Sequence, residues 1–187
     1  MNWNKHYALE GKHAFLSASQ YHWLNYDNDK LIERYYNWKA VERGTRLHAL
    51  AAEHISMGIK MPKTKKTLDR YINDAIGFGM DPEVLLYFSD NCFGTADAIS
   101  YKKDFLRIHD LKTGTTPASI KQLDIYAALF CLEYGVEPGN IEMELRLYQN
   151  NDVIVSHPEA DDIFPIMDRI ITFDKLIEQL KSEGAGR

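Results

Sequence analysis

The chain has 187 residues and a formal net charge of −5, and 45% of its residues are hydrophobic and 26% charged. This is the composition of an ordinary globular domain that can bury a hydrophobic core. No apolar run approaches the roughly 18–20 residues of a membrane span, and the N-terminus lacks the apolar segment of a secretory signal. The sequence therefore argues against a membrane or secreted protein, and we expect a cytoplasmic one.

The two cysteines, Cys92 and Cys131, lie far apart and form no Cys-x-x-Cys pair. This argues against a structural zinc site and a disulfide framework, and it is consistent with a reducing compartment. Basic residues are concentrated at Arg43, Arg46 and residues 60–70. Such a stretch can bind a nucleic-acid backbone, although a solvated loop and helix start is an equally ordinary explanation.

Helical patterns dominate the first 80 or so residues. We predict a short helix capped by Ser17 or Ser19, and we expect Gly58 to end the longest helix. The first predicted helix ends at Tyr26. The other three cover residues 29–38, 39–57 and 64–76.

The remainder of the chain alternates between strand-like and helical segments. Residues 84–88 form a short apolar run after Asp81-Pro82. The predicted elements are strands at 92–101 and 105–111, a helix at 117–134 with proline in its first turn, strands at 141–148 and 153–156, and a helix at 158–182. This order predicts a single domain, residues 1–187, of α/β or α+β class, in which helices flank a small mixed sheet.

Three charged residues stand out at the first predicted hairpin. Asp97 lies among small and apolar neighbours in one strand, and Asp110 and Lys112 lie at the end of the next. Strand alternation puts Asp110 and Lys112 on one face, and the hairpin can bring Asp97 beside Asp110. Two adjacent carboxylates repel unless a cation lies between them, and a hard divalent ion is the natural one. A lysine beside such an ion can orient an attacking water and stabilise charge on a phosphate.

Each of these residues has a simpler structural explanation when it is taken alone. Asp97 can be an edge-strand carboxylate, and Asp110 can belong to a turn. It is the combination with Lys112 that favours a catalytic centre.

The segments Gly94-Thr95-Ala96-Asp97, Asp110-Leu111-Lys112-Thr113-Gly114 and Gln122-Leu123-Asp124-Ile125-Tyr126 follow one another in the chain, after Gly44-Thr45-Arg46-Leu47-His48. Together they resemble the RecB-type branch of the PD-(D/E)XK nuclease superfamily, whose motifs are G-x-x-x-H, G-x-x-D, D-x-K-T-G and Q-x-x-x-Y. The resemblance covers residues 40–130, and it implies a restriction-endonuclease-like core.

The resemblance also implies a role for each matching residue. His48, Asp97, Asp110 and the main-chain carbonyl of Leu111 would bind Mg²⁺ or Mn²⁺, and Lys112 would be the catalytic lysine. Gln122 and Tyr126 would support the site or contact DNA, together with Arg43 and Arg46. For His48, Gln122 and Tyr126, ordinary packing of a helix face remains the alternative.

The same resemblance implies a DNA nuclease, more often an exonuclease than an endonuclease, that works in DNA processing or recombination, as stand-alone phage members of the branch do. Its partner would be DNA, with a recombinase or single-strand-binding protein as further candidates. The two cysteines cannot supply the four ligands of the iron–sulfur cluster that some members carry. A non-catalytic nucleic-acid-binding module and a phosphoesterase acting on another nucleic acid are the competing hypotheses.

Overall fold

The computed structural model describes residues 14–184, which form two units, one ending at Thr45 and one beginning at Arg46. The N-terminal unit holds a 3₁₀ helix, Ala18–Asn25, and the first turns of helix α1, Asn28–Met57. The second unit holds the rest of α1 and the remaining elements. These are α2 (Thr67–Phe78), β1 (Asp81–Ser89), β2 (Cys92–Lys102), β3 (Phe105–Leu111), α3 (Lys121–Tyr134), a 3₁₀ turn (Pro138–Asn140), β4 (Glu142–Gln149), β5 (Asp152–Ser156) and α4 (Ala160–Gly184).

The second unit is an α/β domain built on a five-stranded mixed sheet in the order β1-β2-β3-β4-β5. Strands β1, β2 and β3 are antiparallel neighbours, β3 and β4 are parallel, and β4 and β5 are antiparallel. Helix α3 connects the parallel pair, as a parallel connection requires. The predicted mixed sheet flanked by helices is therefore confirmed.

Two groups of buried side chains hold the sheet between helices. One contains Leu123 of α3, Ile163 of α4 and Leu145 of β4, and the other contains Ile55 of α1 and Ile72 of α2. Burial of such side chains is the main favourable contribution to folding. In the first group the sheet packs against α3 and α4. In the second it packs against α2 and the C-terminal turns of α1.

The observed elements differ from the sequence interpretation at three places. Residues 28–57 form one helix, because the segment contains no proline and its single glycine is tolerated. Residues 81–89 form strand β1, paired with β2, although Pro82 near its start obscured the strand pattern. Pro117 lies in the loop before α3, which begins at Lys121.

Other predictions of local structure are confirmed. Gly58 follows the end of α1 with a φ of 67°, a conformation in which glycine carries no steric penalty. The two predicted hairpins are present as β2–β3 and β4–β5. Within residues 14–184, helices long and apolar enough to cross a membrane are absent.

Candidate metal centre

Asp97 is the residue on which the site is organised. It lies in β2, and its side chain is 15% exposed. Its Oδ1 lies 3.3 Å from Nδ1 of His48, which α1 presents from its portion in the second unit. Its Oδ2 accepts a hydrogen bond of 2.8 Å from the main-chain N–H of Leu111 at the end of β3. Asp97 therefore connects α1 to β3.

Asp110 is buried beside this carboxylate. The β2–β3 pairing runs from Lys102↔Phe105 to Ala98↔His109, which makes Asp97 and Asp110 the next positions along the two strands. Asp110 is 2% exposed. Its Oδ1 accepts a hydrogen bond of 3.0 Å from Lys112 Nζ. Its Oδ2 lies 2.9 Å from the same nitrogen but has no hydrogen-bond partner among the described residues.

Lys112 continues a chain of polar contacts onto α3. Its Nζ donates to Gln122 Oε1 at 2.7 Å, and Gln122 Nε2 donates to the Tyr126 hydroxyl at 3.1 Å. Gln122 and Tyr126 are one turn apart and therefore lie on one face of the helix. The structure thus brings together Asp110, Lys112, Gln122 and Tyr126, as the sequence motifs indicated.

Gly94 explains how Tyr126 comes so close to β2. A Cβ atom at this position would lie 2.8 Å from Tyr126 Cε1, which is closer than side chains pack. The ring therefore occupies the space that a larger residue would fill. This close approach is the physical reason for a glycine three residues before Asp97.

Glu83 is the site residue that the sequence interpretation missed. It lies on β1 between the pairs Pro82↔Ala98 and Val84↔Ala96, and so opposite Asp97. Ligand atoms of His48, Glu83 and Asp97 all lie within 4.8 Å of one another. The signal was hidden because β1 was not recognised as a strand.

The backbone of Glu83 is strained. Its φ is 52°, in the left-handed region that costs a residue with a Cβ about 1–2 kcal/mol. Such strain is commonly kept where a side chain must point at a functional site. The strand positions on either side of Glu83, Pro82 and Val84, are paired with β2.

The ionisable groups strongly influence one another. The hydrogen bond with Asp97 raises the pKa of His48, against the opposing effect of burial. Burial raises the pKa of Asp110, and the charge of Asp97 raises it further, although Lys112 opposes both. Burial and the charge of Asp97 raise the pKa of Glu83 as well. Among the described residues that shift these three pKa values, the carboxylates of Glu83, Asp97 and Asp110 outnumber the one permanent cation, Lys112, and the excess negative charge favours a bound divalent cation.

The chemistry of the donor atoms fits a hard or borderline divalent metal. Carboxylate oxygens suit hard ions such as Mg²⁺ and Mn²⁺, whereas the imidazole nitrogen suits a borderline transition metal. The hydrogen-bond capacity left over at Asp110 Oδ2 adds an acceptor beside the cluster. Of the two predicted arginines, Arg46 belongs to the second unit, on α1, whereas Arg43 belongs to the N-terminal unit.

Comparison with known proteins identifies no family for this chain. No protein-family model matches the chain, and no curated protein matches it significantly.

Proposed function

We propose that the chain is a metal-dependent nuclease that hydrolyses phosphodiester bonds in DNA, and that its α/β domain has a restriction-endonuclease-like core. The observation that carries this proposal is the contact of Lys112 with Asp110 beside the group formed by His48, Glu83 and Asp97. A purely structural role gives little reason to bury a carboxylate beside other carboxylates. A site for a cation and a phosphate gives a direct one.

His48, Glu83, Asp97 and Asp110 would hold Mg²⁺ or Mn²⁺, together with the carbonyl of Leu111. Such an ion, when bound, lowers the pKa of a coordinated water and neutralises charge on a phosphate. The N–H of Leu111 fixes one oxygen of Asp97, which leaves the other oxygen toward His48.

Lys112 would hold the attacking water or a phosphate oxygen. Its ammonium group has three hydrogens, and the bonds to Asp110 and Gln122 use two of them. The third can reach a water or a phosphate oxygen on the open side of the site. Gln122, oriented by Tyr126, would keep the lysine aimed in that direction.

The DNA backbone would contact basic residues of the second unit. Lys66 precedes α2 and Arg70 lies in its first turns, while Lys60, Lys63 and Lys65 precede that helix. Arg46, and Arg43 in the N-terminal unit, are further candidates. Contacts of this kind lose affinity as salt rises.

The proposal is tested by incubating the purified protein with linear duplex, circular duplex and single-stranded DNA and with RNA, in Mn²⁺, Mg²⁺ or EDTA. We expect metal-dependent degradation of linear DNA that EDTA abolishes. Asp97→Asn should lose this activity, and Asp161→Asn, the same change at an exposed position of α4, should retain it. Absence of metal-dependent cleavage of every substrate would overturn the proposal. Cleavage of circular DNA would show that the nuclease is an endonuclease and not an exonuclease.

A further inference from the structure

Gln149 lies at the end of β4, and its side chain forms hydrogen bonds with the main chain of a loop that is distant in sequence, residues 113–120. Its Nε2 donates to the carbonyl oxygens of Gly114 at 2.7 Å and Thr116 at 2.8 Å. Its Oε1 accepts a hydrogen bond of 3.0 Å from the N–H of Ala118. Both hydrogens and one acceptor site of this amide are therefore used on a single loop.

The loop that Gln149 holds connects the catalytic lysine to its partner on α3. The N–H of Lys112 donates to the carbonyl oxygen of Tyr148 on β4 at 2.9 Å. The chain then runs through residues 113–120 without regular structure until α3 begins at Lys121. The path of this loop, together with the packing of α3 on the core, consequently sets where Gln122 Oε1 meets Lys112 Nζ.

The turn that carries Gln149 is itself anchored. Asn150 and Asn151 have φ values of 52° and 62°, a region that asparagine tolerates better than most residues. Asn150 Nδ2 donates to the carbonyl of Thr115 at 3.1 Å and so adds a fourth bond to the loop. Asn151 Oδ1 accepts from the N–H of Thr67 at 3.0 Å, and its N–H donates to Thr67 Oγ1 at 2.7 Å. The start of α2 thus fixes one side of the turn, and the other side holds the loop.

We propose that Gln149 is a positioning residue, which sets the direction of Lys112 by holding residues 113–120 against the β4–β5 turn. The inference rests on the proposed nuclease function. Residues 113–117 are exposed, so water would replace the lost hydrogen bonds and the loop would adopt other paths. Gln122 would then no longer support the lysine at one fixed place. Because His48, Glu83 and Asp97 lie outside the loop, metal binding should survive.

The test compares Gln149→Ala and Gln149→Glu with Asn150→Gly and with the matched control Gln179→Ala on the exposed face of α4. Four quantities are measured: the single-turnover cleavage rate at saturating linear DNA, the steady-state KM for that DNA, the affinity for Mn²⁺ alone by calorimetry, and hydrogen exchange at the Ala118 amide. The glutamate variant keeps an acceptor for Ala118 but places a carboxylate against two carbonyls. If the alanine variant does not fold, the glutamate variant tests whether Gln149 positions Lys112. Asn150→Gly removes only the bond to Thr115 and keeps a residue suited to positive φ.

In Gln149→Ala we expect faster exchange at Ala118 and a cleavage rate lower by up to about 100-fold, the loss typical of a misplacement of about 1 Å. The KM for DNA and the affinity for Mn²⁺ should stay within about twofold of wild type, because uniform binding is untouched. Asn150→Gly should show a smaller loss of rate, and Gln179→Ala none. A wild-type cleavage rate in Gln149→Ala, or a loss of rate matched by loss of Mn²⁺ affinity, would overturn the positioning role. A wild-type protein that cleaves nothing would instead overturn the proposed function.

Discussion

Replacing Gly94 by alanine should destabilise the protein through one identifiable contact. The new Cβ would lie 2.8 Å from Tyr126 Cε1, whereas ordinary contact begins at 3.4 Å, so the ring must move by about 0.6 Å. The ring is held by packing and by the bond from Gln122 to its hydroxyl. Overpacking of this kind costs about 1–3 kcal/mol, which we expect as the loss in free energy of unfolding.

Urea denaturation of wild type, Gly94→Ala, Tyr126→Ala and the double variant measures this cost directly. In the Tyr126→Ala background, the Gly94→Ala penalty should nearly vanish because the obstructing ring is gone. The control is Gly77→Ala in α2, where nothing lies within 4 Å of the new atom, and a gain of about 0.5–1 kcal/mol is expected. An unchanged stability of Gly94→Ala, or an equal penalty in both backgrounds, would refute the contact.

Three further predictions concern the charged residues of the site. Lys112→Met should lower the cleavage rate by about 10²–10³-fold while Mn²⁺ affinity measured by calorimetry survives, and the same change at exposed Lys175 should have no effect; a native rate in Lys112→Met would remove the lysine from the mechanism. Glu83→Gly should be more stable to urea than Glu83→Ala by about 1 kcal/mol, because glycine relieves the strain at a φ of 52°, and both should bind Mn²⁺ more weakly than wild type; equal stabilities would contradict the strained backbone. In metal-free protein, the pKa of His48 is raised, so its pairing with Asp97 stabilises the fold fully below pH 6.5, and this contribution is lost as pH rises through the folded-state pKa. The free energy of unfolding of His48→Gln, measured by urea denaturation, should therefore decline less over that pH range than that of wild type. An identical decline in both proteins would show that this pair is not responsible.

The hairpin part of the site was predictable because its information is local. Asp97 and Asp110 lie on two adjacent strands joined by a short turn, and Lys112 directly follows the second strand, so the alternation of the hairpin places them together. Helical spacing predicts that Gln122 and Tyr126 share one face of a helix, whereas their place beside the hairpin was implied by the resemblance. The coarse fold followed from the order of helical and strand-like patterns for the same reason.

The parts that escaped prediction depend on contacts between distant segments. Glu83 reaches the site only because β1 pairs with β2 in a particular register and because its backbone adopts a left-handed conformation. Neither property has a signature in a glutamate that follows a proline. Gln149 contacts residues more than thirty positions earlier in the chain, across a parallel pairing that single-sequence patterns do not specify. The unbroken helix α1 was missed because its apolar residues do not follow one continuous face.

The measurement that tests the central claim most directly is the release of products from end-labelled linear DNA by wild type, by Asp97→Asn, Asp110→Asn and Lys112→Met, and by the control Asp161→Asn, each in Mn²⁺ and in EDTA. A metal-dependent nuclease centred on these residues predicts cleavage by wild type in Mn²⁺ only, and loss of that cleavage in all three variants while Asp161→Asn remains active. Cleavage that persists in EDTA, or in any of the three site variants at the wild-type rate, would contradict the account.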